Sequence, residues 1–322
     1  SGMRLGETIG SPICLMVENK DWSAGGEPRI TRPRPGHADL VGILKYARED
    51  IRDVLERASA RETVTRVAVG AVCKRLLKEF EIRIISYTKK IGGVSTSGHG
   101  KISVPFLHLS VEKIFSLAES SPVRTLDKKV EKLMINKIKE AEKKGDTLGG
   151  VFTVIVHKVP VGLGSYTQWD LRLDGRLAQT LMSIPGVKGV EIGTGFNFAQ
   201  YFGSKAHDEI FYSKTRGFYR KTNNAGGLEG GVSNGEDIIL NAAIKPISSL
   251  RKPLRTVDIV TKEKVRAEII RGDICVVPVA GIIGEAVVAI EIARAMCEKF
   301  GGDSLKEMKT NFLNYQKYLS QR

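Results

Sequence analysis

Strand-like and helix-like segments come in clusters along this chain instead of alternating one for one, and that arrangement predicts an α+β fold, because a doubly wound parallel sheet requires βαβ alternation. A second observation sets the domain count. The 322 residues could form one large domain or two ordinary ones at roughly 100–200 residues each. No Pro/Ser-rich linker is long enough to mark a boundary, so a single intertwined domain over residues 1–322 is expected. Composition is the third: 42% apolar residues with 27% charged ones describe a globular chain with ample core, not a disordered one.

In chain order, Ile13–Val17 reads as a short strand followed by a turn-rich loop. Two X-Pro steps in Thr31–Leu40 bar regular helix and favour extended backbone. A long helix should begin near Ala60, where Ser59 and Glu62 form a capping box and Val64, Val67, Ala68, Ala71 and Val72 recur at helical spacing. Residues 81–95 and 102–109 suggest short strands or loops. A helix over Leu126–Lys144 carries Val130, Leu133, Met134, Ile138 and Ala141 on one face and stops at Gly145. Val151–Val159 alternates as a strand, and Leu173–Ser183 reads as a helix. Strand-and-loop sequence rich in glycine fills 187–250, including the apolar strand Ile238–Ile244. Helices over Gly284–Phe300 and Leu305–Leu319 close the chain, the second capped by Ser304 with Glu307.

Fifty Lys and Arg against 36 Asp and Glu leave a net charge of +14, with a pI near 9.6. Such a charge can serve nucleic acid when it is clustered. Here much of the excess lies in Lys128–Lys144, interleaved with Glu131, Glu140 and Glu142 as on a solvated helix face, and aromatics are 7% with no RNA-binding signature. Anionic small molecules are the expected partners instead, since arginines gather around glycines and prolines. No membrane partner is expected: the longest apolar stretch, Ile274–Ile290, holds Pro278 and Glu285 and falls short of the roughly 20 residues of a spanning helix. The opening SGMRLGETIG has no apolar leader region. Cys14, Cys73, Cys275 and Cys297 are far apart and form no CxxC pair, which fits buried thiols in a reducing cytoplasm.

Several constellations could carry chemistry. In Arg32-Pro-Arg34-Pro-Gly36-His37-Ala-Asp39, fixed positive charge lies beside a histidine that can titrate near neutrality; equally, His37 could simply bond Asp39 in a structural loop. Arg57-Ala-Ser-Ala-Arg61-Glu-Thr63 straddles a helix start, where free N–H groups and the dipole attract anions; the alternative is a cap paired with an arginine. Lys245-Pro-Ile-Ser248-Ser249 follows an apolar strand and could hold a phosphate or a cofactor edge, or form an ordinary turn. Arg271-Gly-Asp273 leads into the apolar Ile274–Pro278, where Asp273 is either a capped strand end or a positioned base. His207-Asp208-Glu209 has no second histidine at helical spacing, so no metal site is expected. No GxGxxG, GxxxxGK[ST] or GxSxG occurs in the context those motifs need.

Taken together, SGMRLGETIGSPI, RPRPGHADL, RASARET, LGGVFTVIV, MSIPGVKGVEIG, NNAGGLEGGVSNGE, KPISS and RGDICVVPVA resemble chorismate synthase, in that family's order and over nearly the whole chain. The resemblance implies helices sandwiched between antiparallel β-sheets in a homotetramer. It implies a cytoplasmic lyase that converts 5-enolpyruvylshikimate 3-phosphate to chorismate by 1,4-anti elimination, with reduced FMN as cofactor supplied by a separate flavin reductase. It carries over His37 as a proton donor to the flavin and Asp273 as the aspartate that assists hydrogen removal. Arg57, Ala58, Ser59, Pro185, Gly186, Gly230, Lys245, Pro246, Ile247, Ser248, Ser249 and Arg271 fall on FMN-contacting positions, and Arg32 and Arg61 on substrate-phosphate ligands. The family's GESHG-type opening and the Arg/Gly-rich segment after it have no counterpart here, and the loop between Trp22 and Arg29 is short. On that ground upstream sequence is expected to be missing, and a catalytically impaired FMN-binding fragment is the alternative to a working enzyme.

Overall fold

The computed structural model describes residues 1–20, 28–58, 61–96, 109–270 and 272–322. At its centre lies an antiparallel sheet of five strands: β1 (Arg83–Ile91), β2 (Val94–Ser95), β3 (Gly150–His157), β4 (Val187–Ile192) and β5 (Ile238–Ile244). The spatial order is β2-β1-β3-β5-β4. Register follows from which side chains must be hidden. Ile84, Val156 and Ile238 lie across from one another, as do Ile85, Ile155 and Ile239. Every second residue thus points to the same face, and both faces are buried in the middle of the sheet.

Among the described residues the helices of seven residues or more are α1 (Asp39–Tyr46), α2 (Ile51–Arg57), α3 (Arg61–Lys78), α4 (Val111–Glu119), α5 (Lys128–Lys143), α6 (Leu173–Met182), α7 (Val277–Phe300) and α8 (Leu305–Ser320). One face of the sheet, with Phe152, Val154 and Leu240, meets Val288, Ile292 and Met296 of α7. Ile85, Tyr87 and Ile155 of the opposite face meet Val111, Ile114 and Ala118 of α4. The architecture is therefore α+β with an antiparallel sheet, the class that the clustering of elements predicts. Two-stranded hairpins, such as Ile210–Ser213 with Gly217–Arg220, add β-structure outside the central sheet.

The central helix α7 is buried along most of its length, as expected of a helix rich in small and apolar residues on all sides. Its neighbour α3 approaches so closely that a Cβ on Gly70 would sit 2.5 Å from the Cβ of Ala286. Only a glycine permits that contact, so Gly70→Val should overpack the helix pair and cost about 1–3 kcal/mol. A lowered thermal midpoint in circular dichroism is the expected result. An unchanged midpoint would mean that the helices are not held at this distance. An ion network ties α6 to α7: Arg176 bonds the buried Glu291 at 2.5 Å and the exposed Glu298 at 2.7 Å.

Three expectations change. The run Ile13–Val17 is not a strand; it is exposed and has no ladder partner among the described residues, without which alternation forms nothing. Helix α7 begins at Val277, seven residues before the expected Gly284, because Pro278 lies in its first turn. A missing N–H costs little there, since that group has no intrahelical acceptor. The cysteines are not uniformly buried: Cys14 and Cys297 are exposed, and Cys73 and Cys275 are intermediate. Among the described residues no helix is long and apolar enough to cross a membrane.

Candidate active site

The proline steps keep residues 31–34 free of helix until the chain turns at Gly36, and α1 starts at Asp39. Asp39 occupies the first helical position, where the dipole favours a negative charge. Its carboxylate is fully buried. Oδ2 accepts from the Arg34 backbone N–H at 3.0 Å and from Nε at 2.8 Å, and Oδ1 accepts from Nη2 at 3.0 Å. Oδ1 also lies in short contact with His37 Nδ1. Burial by itself would raise the Asp39 pKa, but the bonds from His37 and Arg34 outweigh it and hold the group well below the usual carboxylate range.

This loop is pinned to the segment that follows β5. Arg34 Nη1 donates to Ser249 Oγ at 2.7 Å, and Lys245 Nζ donates to the Gly36 carbonyl at 2.7 Å. The backbone N–H of Lys245 bonds the carbonyl of Gly186, which ends the turn after α6. Gly186 has a φ of +88°, in the left-handed region where a side chain would be strained. Burial pushes the Lys245 ammonium below its usual pKa, and the neighbouring charges of Lys188 and Arg34 push the same way.

A cavity of about 670 Å³ opens between these segments. Its walls are apolar, with Leu55, Val64, Val67, Ile184 and Ile283, while Arg34, His37, Lys245, Ser248, Ser249 and Asp273 supply polar edges. The first turns of two helices border it, through Thr63 and Val64 of α3 and Val279 and Ala280 of α7. Both present the N-terminal end of a helix, whose positive dipole end favours an anion. The arrangement can hold a flat, largely apolar ligand with anionic substituents, next to a histidine and a carboxylate able to exchange protons.

Of the residues singled out in the sequence, the cavity brings together His37, Ala58, Pro185, Gly186, Lys245, Pro246, Ile247, Ser248, Ser249 and Asp273. Four others do not line it. Arg32 is half exposed and bonds Glu268 at 2.5 Å. Arg61 is paired with Glu56. Gly230 lies in the turn between Leu228–Glu229 and Val232–Ser233. Arg57 ends α2, so it does not begin a helix; a cation is favoured at a C-terminus, and its position gives no reason to expect an anion beside it. Ser59 and Arg271 lie outside the described residues, as do His99, His108 and most of the 102–109 segment and of the Trp22–Arg29 loop. Arg34 and Thr63, which belong to two of the constellations in the sequence but receive no role from the resemblance, also line the cavity. For Arg34 a signal existed, its place three residues before His37. For Thr63 the only signal was the helix start.

Residues 1–297 match the family model described as Chorismate synthase. The chain belongs to the chorismate synthase family. It is 54% identical over 329 residues to a chorismate synthase of Endomicrobium trichonymphae, covering 98% of this chain and 83% of that protein. A chorismate synthase of Alkaliphilus metalliredigens is 52% identical over 326 residues, with the same coverage of 98% and 83%. A crystal structure of chorismate synthase superposes with a TM-score of 0.81 at 40% identity, across 100% of this chain and 84% of that one. Membership at this level makes the chain an enzyme of the chorismate synthase type, a lyase of aromatic amino-acid biosynthesis acting on a small-molecule substrate.

Proposed function

We propose that the chain converts 5-enolpyruvylshikimate 3-phosphate into chorismate and phosphate by 1,4-anti elimination, with reduced FMN bound in the cavity between α3, α7 and Lys245–Ser249. The observation that carries this reading is the convergence of His37, Asp273 and Lys245–Ser249 on one apolar cavity bordered by two helix N-termini. The donor set fits the cofactor: apolar walls suit a flat ring system, and Lys245, the two serines and the helix starts suit its polar edge and phosphate. Residues named from the resemblance but not lining the cavity, Arg57 and Gly230, are not needed for that fit.

When bound, reduced FMN lends an electron transiently to a reaction without net redox change. The protein's part is to bind, to exclude water and to manage protons. The elimination breaks the bond to the phosphate oxygen and the bond to a carbon-6 hydrogen, and negative charge accumulates on the departing phosphate. Lys245 supplies a positive charge at the cavity edge, which favours that charge, while Arg34 is committed to Asp39. His37 holds and returns a proton at its ring, and the Asp273 carboxylate at the cavity edge accepts one. The family resemblance also supports a single domain that assembles as a homotetramer in the cytoplasm, served by a separate flavin reductase.

Two measurements test the reading. Anaerobic incubation with photoreduced FMN should yield chorismate and phosphate in equal amounts. Lys245→Met should weaken FMN about 10–100-fold in a fluorescence titration, as loss of a hydrogen bond from a charged donor predicts. An affinity unchanged by that substitution would move the cofactor away from this cavity.

A further inference from the structure

The two polar neighbours of His37 Nδ1 make opposite demands. Asp39 Oδ1 accepts hydrogen bonds, whereas Arg34 Nη2, at 2.9 Å, can only donate. One nitrogen cannot satisfy both. The surroundings decide between them: Arg34 Nη2 already has Asp39 Oδ1 at 3.0 Å as an anionic acceptor, and Asp39 keeps its negative charge through the bonds from Arg34. The proton on Nδ1 therefore points to Asp39, and the Nδ1–Nη2 approach is a contact between two donors that share one oxygen. Arg34 cannot swing away, since its side chain is almost fully buried and Nη1 is bonded to Ser249 at 2.7 Å.

We propose that Asp39 is a positioning residue that locks His37 in the Nδ1–H tautomer, leaving Nε2 as the nitrogen that exchanges protons with the cavity, and that Arg34 takes over Nδ1 when Asp39 is removed. The tautomer assignment stands on this geometry alone; the catalytic consequence rests on the elimination proposed above. With Asp39 in place, a neutral His37 presents a bare Nε2, which can receive a proton and give it back. Asp39 stays ionised throughout and takes no proton itself, as a carboxylate that orients an imidazole does. Without Asp39, the Nη2 hydrogen has Nδ1 as its nearest acceptor. The neutral ring must then carry its proton on Nε2, and it meets the cavity as a donor that cannot accept.

The test is long-range ¹⁵N–¹H correlation on the full chain labelled in histidine and free of cofactor, at alkaline pH, with His37 assigned by its loss in His37→Gln. The wild-type ring should show a protonated Nδ1 and a bare Nε2, and Asp39→Ala should reverse the two. A protonated Nε2 in the wild type overturns the proposal, and so does an unreversed pattern in folded Asp39→Ala. Should Asp39→Ala fail to fold, the wild-type pattern still decides, and Arg34→Met offers a second check because it should keep Nδ1–H. In the chorismate assay, folded Asp39→Ala should lose at least tenfold in kcat with a smaller change in KM, and an equal kcat overturns the catalytic part. Absence of turnover in the wild type would sink the proposed elimination and leave the tautomer result standing, so the two failures are separable.

Discussion

His37→Ala is expected to lower the turnover of chorismate formation by about 100–10,000-fold, the range over which a positioned acid–base group contributes. FMN affinity should change little, because the cavity's apolar walls and Lys245 remain. The expectation follows from the position of His37, at the cavity edge with Nδ1 committed to Asp39. A split of this kind, kcat down and cofactor binding intact, separates a proton-handling residue from a mere wall of the pocket. Turnover within a factor of a few of wild type would assign the proton step to another group.

The second large effect is on stability. Arg34→Met keeps much of the side-chain volume but removes the guanidinium from a carboxylate that is fully buried. Breaking a buried pair in this way costs about 3–5 kcal/mol, because one charge is left behind without its partner. Ser249 also loses its link to the loop, so the mouth of the cavity should loosen. The pH dependence has a definite sign. The folded pKa of Asp39 lies below the unfolded value of about 3.9, so its contribution is fully present above that value and is lost as the pH falls through the folded one. Urea melts should therefore show the full gap between wild type and Arg34→Met at pH 7, narrowing once the pH falls through the variant's own Asp39 pKa, which burial without Arg34 raises, and closed in stronger acid. A gap that widens as the pH falls would contradict the ion pair's role.

Much of this arrangement is legible in the residues themselves. The apolar run Ile238–Ile244 coincides residue for residue with β5. Helix α8 starts at the Ser304 cap, whose hydroxyl accepts from the Glu307 N–H at 3.2 Å. Short helices were harder to see. In α1, α2 and α4 only two turns or so are present, too few for a 3.6-residue period to stand out from chance. The cue lay in single side chains, Asp50 before α2 and Ser110 before α4.

The candidate site divides along a similar line. His37, Asp273 and Lys245–Ser249 carry unusual chemistry and could be picked out, but the walls formed by Leu55, Val67 and Ile283 use the same residue types as any core. Only the fold separates an apolar residue facing a cavity from one facing a neighbour. Proximity to prolines and a helix start makes Arg32, Arg57 and Arg61 candidate anion ligands and no more. That signal does not reveal the Glu268 beside Arg32, which is distant in sequence, or that Arg57 ends a helix, and it gave no weight to Glu56 beside Arg61.

The most direct test of the central claim is an anaerobic assay of this purified chain with 5-enolpyruvylshikimate 3-phosphate and photoreduced FMN, following chorismate and phosphate together. The account predicts that both appear in equal amounts and that neither appears when FMN is left oxidised. FMN bound to the folded chain with no chorismate formed would contradict it, and would leave a flavin-binding protein without the elimination activity.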